Sequence, residues 1–388
     1  VPTPKRQPDT GRTIAVIGGG PAGLTCAYFL ALMGHTVELY EEKKHLGGMM
    51  RYGIPAYRFP RERLDEDIRA ILGVGNINVH LESPVGTDEM KTLSETCDAV
   101  FVAIGAHAAK KLRLPGIDAK GVISAVDMLR SIGDGVYPDY RGKKIAVIGG
   151  GNVAMDVCRT AIRLGAKDTY VIYRRSQAEM PADAEEVAEA MEEGVQFRFL
   201  TAPVEILGED GKVTGIRVER MTLGEPDEKG RRKPVGTGKF ETIEVTSVIG
   251  AIGQTVDWGT LDTGALTTTK KGTAEADALT YQTAQPDIFV GGDCYTGPKF
   301  AIDAIAAGRE GAISLHRYVH EGQSLTLARD PREFYELDKK QAVVPIDCFD
   351  APARQTVAHD ASKAKTFSND RITFTEAQVK AEASRCLG

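Results

Sequence analysis

The chain has no paired cysteines. Cys26, Cys97, Cys158, Cys294, Cys348 and Cys386 are scattered, without CxxC or CxxxxC spacing. That counts against a disulfide reductase built on neighbouring thiols, and against a metal or cluster motif within the chain. Scattered single thiols suit a reducing compartment, so a cytoplasmic location is expected. Nowhere does an apolar run approach the roughly 20 residues that span a bilayer, and Val1-Pro2-Thr3-Pro4 lacks the layout of a secretory signal. There is also no long Lys/Arg block, and the formal net charge is -6. Neither membrane nor nucleic acid is therefore expected as a partner. The first residue is valine, so a processed start or a segment of a longer polypeptide is expected.

What is present is enough for two or three domains: 388 residues, 42% hydrophobic, with 42 glycines. Two of the glycine clusters stand out. Gly18-Gly19-Gly20-Pro21-Ala22-Gly23 follows the apolar run Thr13–Ile17, and Gly149-Gly150-Gly151-Asn152-Val153-Ala154 follows Lys144–Ile148. Each precedes a predicted helix, the arrangement in which a tight turn lets backbone approach a pyrophosphate and a helix N-terminus supplies unpaired N–H groups. Two dinucleotides bound at once are expected. In the first unit Glu41, followed by Glu42, ends the second strand, where a carboxylate accepts hydrogen bonds from ribose hydroxyls. In the second unit the same tip is Arg174-Arg175. Guanidinium groups bind a 2'-phosphate that a carboxylate would repel, which favours NADP(H) over NAD(H). The competing readings are a ligand-free turn and two solvated arginines. A third element, the apolar run ending in Gly291-Gly292-Asp293, places Asp293 to bond a flavin ribityl hydroxyl ahead of a helix beginning near Ala301.

These signals divide the chain into a linker at 1–11, a first FAD-binding part at 12–130, an NADP(H)-binding domain at 131–253, a second FAD part at 254–322 and an extension at 323–388 that contacts a partner or subunit. The expected fold is α/β, with two Rossmann-like dinucleotide-binding domains, the NADP domain inserted into a split FAD domain. Residues 204–245 alternate apolar and polar positions and predict antiparallel strands, with a long exposed loop near Gly224 to Gly238.

The glycine clusters, together with Leu46-Gly47-Gly48-Met49-Met50-Arg51-Tyr52-Gly53-Ile54-Pro55, Tyr173-Arg174-Arg175-Ser176, Glu179-Met180-Pro181-Ala182 and Ala251-Ile252-Gly253-Gln254, carry a resemblance. From Arg12 to about His320 the chain resembles the NADPH-dependent flavoproteins typified by the glutamate synthase small subunit. The large subunit of NADPH-ferredoxin transhydrogenase and the flavin-NADPH part of dihydropyrimidine dehydrogenase belong to the same group. The resemblance implies FAD in the outer domain, with Gly18, Gly20, Pro21, Ala22, Gly23, Glu41, Glu42, Leu46, Gly47, Gly48, Ile54, Val85, Ala103, Gly105, Gly292, Asp293 and Ala301 around it. It implies NADP(H) in the inserted domain, on Gly149, Gly151, Asn152, Val153, Ala154, Arg174 and Arg175, with Ala251, Ile252 and Gly253 approaching the nicotinamide.

Such proteins usually carry a cysteine-rich iron-sulfur domain ahead of the flavin fingerprint, and here no cysteine precedes Cys26. Iron-sulfur clusters are therefore expected on a partner domain or subunit, such as a ferredoxin, in a hetero-oligomer. Cys386 resembles the start of a cluster-ligand segment that stops before a second cysteine; a lone terminal cysteine is ordinarily a plain thiol. The implied chemistry is hydride exchange between NADP(H) and FAD, with electrons leaving singly to the partner and no catalytic side chain needed for the transfer. A disulfide reductase, a flavin monooxygenase and a non-catalytic nucleotide-binding scaffold remain the alternatives.

Overall fold

A computed structural model describes residues 3–227, 232–261, 266–329 and 353–385. The first sheet is parallel throughout, in the order β15-β4-β1-β2-β3. Its strands are β1 (Thr13–Ile17), β2 (Thr36–Tyr40), β3 (Ile77–His80), β4 (Ala99–Val102) and β15 (Ile288–Val290). β1 and β4 are apolar without alternation because helices cover both faces of the sheet. Helix α1 (Pro21–Leu32) is buried on several sides, between the sheet and α9 (Ala301–Tyr318). Close packing of this pair requires glycine: a Cβ on Gly308 would lie 2.2 Å from the Ala22 carbonyl oxygen. Ile14, Val16, Leu30, Val37, Phe101, Phe289 and Leu315 fill the space between these layers. The short α2 (Met49–Tyr52), α3 (Arg61–Leu72) and α4 (Thr87–Thr96) complete this unit.

After β4 the chain runs through β5 (Ala108–Ala109) into a second parallel sheet, ordered β6-β13-β7-β8-β9. β6 is Val122–Ser124, β7 Lys144–Ile148, β8 Asp168–Ile172, β9 Gln196–Arg198 and β13 Ser247–Gly250. Helices α5 (Ala125–Gly133), α6 (Asn152–Arg163) and α7 (Ala184–Glu192) pack on it. The Ser124 hydroxyl accepts the Asp127 amide at 3.0 Å and the Asp183 carboxylate accepts the Glu185 amide at 2.9 Å, capping α5 and α7. The second unit thus starts earlier than residue 131: β6 pairs with β13, and α5 buries Met128, Leu129 and Ile132 in the second core. A three-residue strand carries too little pattern to reveal which sheet it joins. The return crossing, β14 (Gln254–Thr255), pairs antiparallel with β5, so both connections between the units form one ribbon.

The antiparallel sheet has the order β10-β11-β12, from Thr201–Glu209, Lys212–Pro226 and Arg232–Glu244. Most of the stretch expected as a loop is strand, with Thr222 opposite Val235 and Pro226 opposite Arg232. Glycine and charge are tolerated there because much of this hairpin faces solvent. Beyond α9, residues 353–385 contain the short pair β16 (Ala358–His359) and β17 (Arg371–Ile372) and helix α10 (Glu376–Ala383). This segment returns to the second unit. Arg163 donates to the Thr366 carbonyl at 2.7 Å, Arg371 pairs with Glu189 at 3.0 Å, and Phe367 packs against Tyr137.

Candidate functional site

At the C-terminal end of the first sheet, segments far apart in sequence converge on the turn between β1 and α1. A Cβ on Gly18 would lie 2.4 Å from the Ala103 carbonyl oxygen, and one on Gly23 only 1.8 Å from that of Gly18. These contacts press the helix start against the strand ends and leave no room for a side chain. Gly48, at φ +52°, meets the Cα of Gly20, and Gly292, at φ +72°, meets the side chain of Ala22. Leu46 is buried over Gly19, and the Gly47 amide donates to the Gly19 carbonyl at 2.8 Å. Pro21 occupies the first helical position, where its missing N–H costs nothing.

Glu41 is buried at this turn. Its two oxygens accept the amides of Gly19 at 2.8 Å and Lys43 at 2.9 Å. Burial raises its pKa, and those two amides oppose the rise. Glu42 points to solvent and pairs with Lys43 at 2.8 Å. Asp293 opens α8 (Asp293–Thr296), with the Lys299 amide 3.2 Å from its Oδ1; burial pushes its pKa up to about 6. Ala301 begins α9. Gly105 follows β4, Ile54 follows α2 with its carbonyl held by Arg61 at 2.6 Å, and Val85 packs against the core cluster that includes Ile17 and Val102.

The second turn repeats the geometry. A Cβ on Gly149 would lie 2.3 Å from the Ala251 carbonyl oxygen, while one on Gly151 would meet nothing within 4 Å. The backbone at the start of α6 therefore faces open space, as an approaching phosphate requires. Ala154 is fully buried, Val153 packs on the same core, and Asn152 accepts the Asp183 amide through its side-chain oxygen at 2.9 Å. Beyond β8, Arg174 is exposed, whereas Arg175 is half-buried and its Nε has no hydrogen-bond partner. Arg198 at the end of β9 has a buried Nε in the same condition. Ala251 is buried, Ile252 is exposed, and the Gly253 carbonyl accepts the Lys110 amide at 3.0 Å.

An orphaned buried guanidinium donor at the tip of β8 is one that an anion would satisfy; a Cβ on Gly151 meets open space at the second turn, and one on Gly20 meets only the Gly48 Cα, at 3.6 Å, at the first. These residues fit a pair of dinucleotides. The sequence pattern described as pyridine nucleotide-disulphide oxidoreductase matches residues 12–308, covering both turns and the closing element. The chain belongs to this family. Membership makes it an NAD(P)H-dependent oxidoreductase with FAD and NADP(H) as cofactors.

Within the family, the chain is 40% identical over 97% of its length to the Moorella thermoacetica NADP(+)-dependent formate dehydrogenase subunit beta, and spans 54% of that protein. It is 35% identical to the Geobacter sulfurreducens NADPH-Fe(3+) oxidoreductase subunit beta, over 100% of this chain and 62% of the relative. It is also 35% identical to the Escherichia coli glutamate synthase [NADPH] small chain, over 80% of this chain and 69% of that one. The chain therefore spans little more than half of its first two relatives. Mycobacterium tuberculosis FprA in complex with NADPH superposes with a TM-score of 0.69 at 21% identity, covering 81% of this chain and 85% of that one; this likeness shows the fold.

Several polar residues near these turns carried no signal in the sequence. His107 lies beside Gly105 with its Nδ1 buried and unpartnered, and burial together with the Arg130 charge lowers its pKa to about 4. Arg58, just after the Gly-Ile-Pro segment, reaches across to the second unit and pairs with Asp156 at 2.6 Å and Glu186 at 2.7 Å. Behind it, Arg159 binds Glu186, Glu189 and Glu193, and Arg163 stacks on the Tyr57 ring. Cys386 lies outside the described residues. Among those residues no helix is long and apolar enough to cross a membrane.

Proposed function

We propose that this chain binds FAD at the first glycine turn and NADP(H) at the second, and exchanges a hydride between them while an iron-sulfur partner takes the electrons. FAD, when bound, supplies the conversion between two-electron and one-electron chemistry. The chain supplies position and charge. Gly18, Gly20 and Gly48 bring backbone to a pyrophosphate. The Glu41 oxygens, each using one lone pair on a backbone amide, keep another for ribose hydroxyls. Asp293 would hold a ribityl hydroxyl, and Ala251 to Gly253 would set the nicotinamide against the flavin.

The observation that carries the assignment of NADP(H) to the second turn is the unpartnered Nε of Arg175 at the tip where the first unit has a carboxylate. A 2'-phosphate would satisfy it and the neighbouring Arg174 with charge-assisted hydrogen bonds. The partner rests on the relatives, two of which are named as beta subunits and one as a small chain. A cytoplasmic setting follows from the same reading, with Cys26, Cys97, Cys158 and Cys294 all free thiols. Disulfide reduction is disfavoured: Cys26, Cys158 and Cys294 are buried, and burial raises the pKa of each.

Anaerobic rapid mixing of the flavin-loaded chain with NADPH and with NADH tests the proposal. Bleaching of the oxidised flavin band by NADPH, much faster than by NADH, is expected. A flavin that binds but does not bleach would leave the scaffold reading instead.

A further inference from the structure

Away from both turns, at the opposite end of the first sheet, three imidazoles meet. His35 immediately precedes β2, and His316 and His320 lie one turn apart at the end of α9. We propose that these three histidines form a binding site for a divalent cation of the zinc type.

His35 is fully buried, with its Nδ1 2.8 Å from the Thr10 hydroxyl and its Nε2 2.9 Å from His316 Nδ1. The Nδ1 of His320 donates to the His316 carbonyl at 2.6 Å, which leaves Nε2 of His320 with a free lone pair. In two of the three rings, then, one nitrogen is anchored to a protein oxygen, which leaves the other as the ligand atom, the arrangement that fixes an imidazole as a metal ligand. One nitrogen from each ring lies within 4.8 Å of the others.

A site of three imidazoles, without carboxylate or thiolate, suits zinc and its neighbours rather than calcium or magnesium. Zinc–nitrogen bonds of about 2.0–2.1 Å put tetrahedral ligand atoms about 3.3 Å apart. The 2.9 Å between His35 and His316 has to open by only a few tenths of an ångström. His316 and His320 are half-buried, which gives an ion a path and a solvent ligand a fourth position.

The ion would join segments that the second unit separates in the chain: His35 belongs to the first part of the split unit, and His316 and His320 to the second. Through Thr10 it would also fix the stretch before β1, where the Thr10 amide donates to the Gly34 carbonyl at 3.0 Å. This is a structural role with no redox step.

The test uses the full-length, flavin-loaded protein, stripped with chelator, given Zn2+ and dialysed, beside His316→Gln and His320→Gln variants. Wild type should retain one more zinc per chain than either variant, by elemental analysis. Co2+ should give visible ligand-field bands in wild type alone. Zinc at about a hundredfold over its Kd should raise the wild-type unfolding midpoint by about 5 °C. Because both substituted side chains are half-exposed, flavin content should stay at the wild-type level and report correct folding. Equal zinc content in wild type and folded variants, or no zinc-dependent shift, would overturn the proposal and leave a hydrogen-bonded imidazole cluster.

Discussion

Two side-chain positions with the same place in the fold carry opposite charge. Glu41 and the Arg174-Arg175 pair each sit just past the second strand of a βαβ unit, so under the proposed function their difference sets ligand choice rather than folding. Arg175→Glu should lower kcat/KM for NADPH about 100-fold and leave NADH within about threefold, since charged hydrogen bonds contribute roughly 1.5–3 kcal/mol and each decade is 1.4. Parallel steady-state assays with both nucleotides would show it; an unchanged preference would remove the 2'-phosphate assignment. Gly23→Ala would drive a methyl into the Gly18 carbonyl, 1.8 Å away, where both sides are backbone. Loss of flavin on purification is expected, with weakened stability measured by urea unfolding. Asp293 gives a pH signature. Its pKa, raised to about 6, makes its contribution to stability greatest in acid and lost as pH rises through 6. Apo Asp293→Asn should therefore unfold at a higher temperature than apo wild type at pH 8, with the difference shrinking toward pH 4.5, while binding FAD less tightly.

At the scale of elements, the parallel strands and the helices after the glycine turns were legible because their signals are local. A continuous apolar run followed by glycine and a helical period identifies β1, β7, α1 and α6 without knowledge of their neighbours. The β11–β12 hairpin was not legible in full, because cross-strand pairing compensates for glycine and charge at positions such as Gly236, opposite Met221, and Arg232, opposite Pro226. Nor was the contact between the Tyr57-Arg58 segment and α6 and α7. Asp156 is 4% exposed, and even with Arg58 against it burial raises its pKa to about 6. Arg58→Ala strips Asp156 and Glu186 of a cation in a buried setting and should cost about 3 kcal/mol in urea unfolding. A double-mutant cycle with Asp156→Ala should recover much of that loss as coupling energy.

For the whole molecule, what matters is how the two units are joined. Both crossings run through the β5–β14 ribbon, so the orientation of one cofactor site toward the other depends on its hydrogen bonds together with the Arg58 contacts to Asp156 and Glu186. Lys110→Pro removes the donor to the Gly253 carbonyl, next to the stretch expected at the nicotinamide. Flavin reduction by NADPH should slow about tenfold, as the loss of about 1.4 kcal/mol in positioning would produce, with flavin content unchanged. Rapid mixing and the visible spectrum measure the two separately. The segment 353–385, expected at a partner, lies against the chain's own α6 and α7 through Arg163, Phe367 and Arg371.

The amino-acid sequence alone determined that two nucleotide-binding units follow one another, that their tips differ in charge, and that an Asp-tipped strand closes the first unit after the second is complete. Each unit with its tip is written in fewer than about 30 consecutive residues, within one βαβ repeat, and the closing strand in its own apolar run ending in Asp293; their order along the chain is read directly. Tertiary structure alone decided which sheet β6 joins, how Arg58 bridges the units, that Arg175 and Arg198 both keep an unsatisfied donor, and that His35 meets His316 and His320. Those outcomes depend on chain segments tens to hundreds of residues apart being held together by burial of shared cores, and no local periodicity records such a meeting.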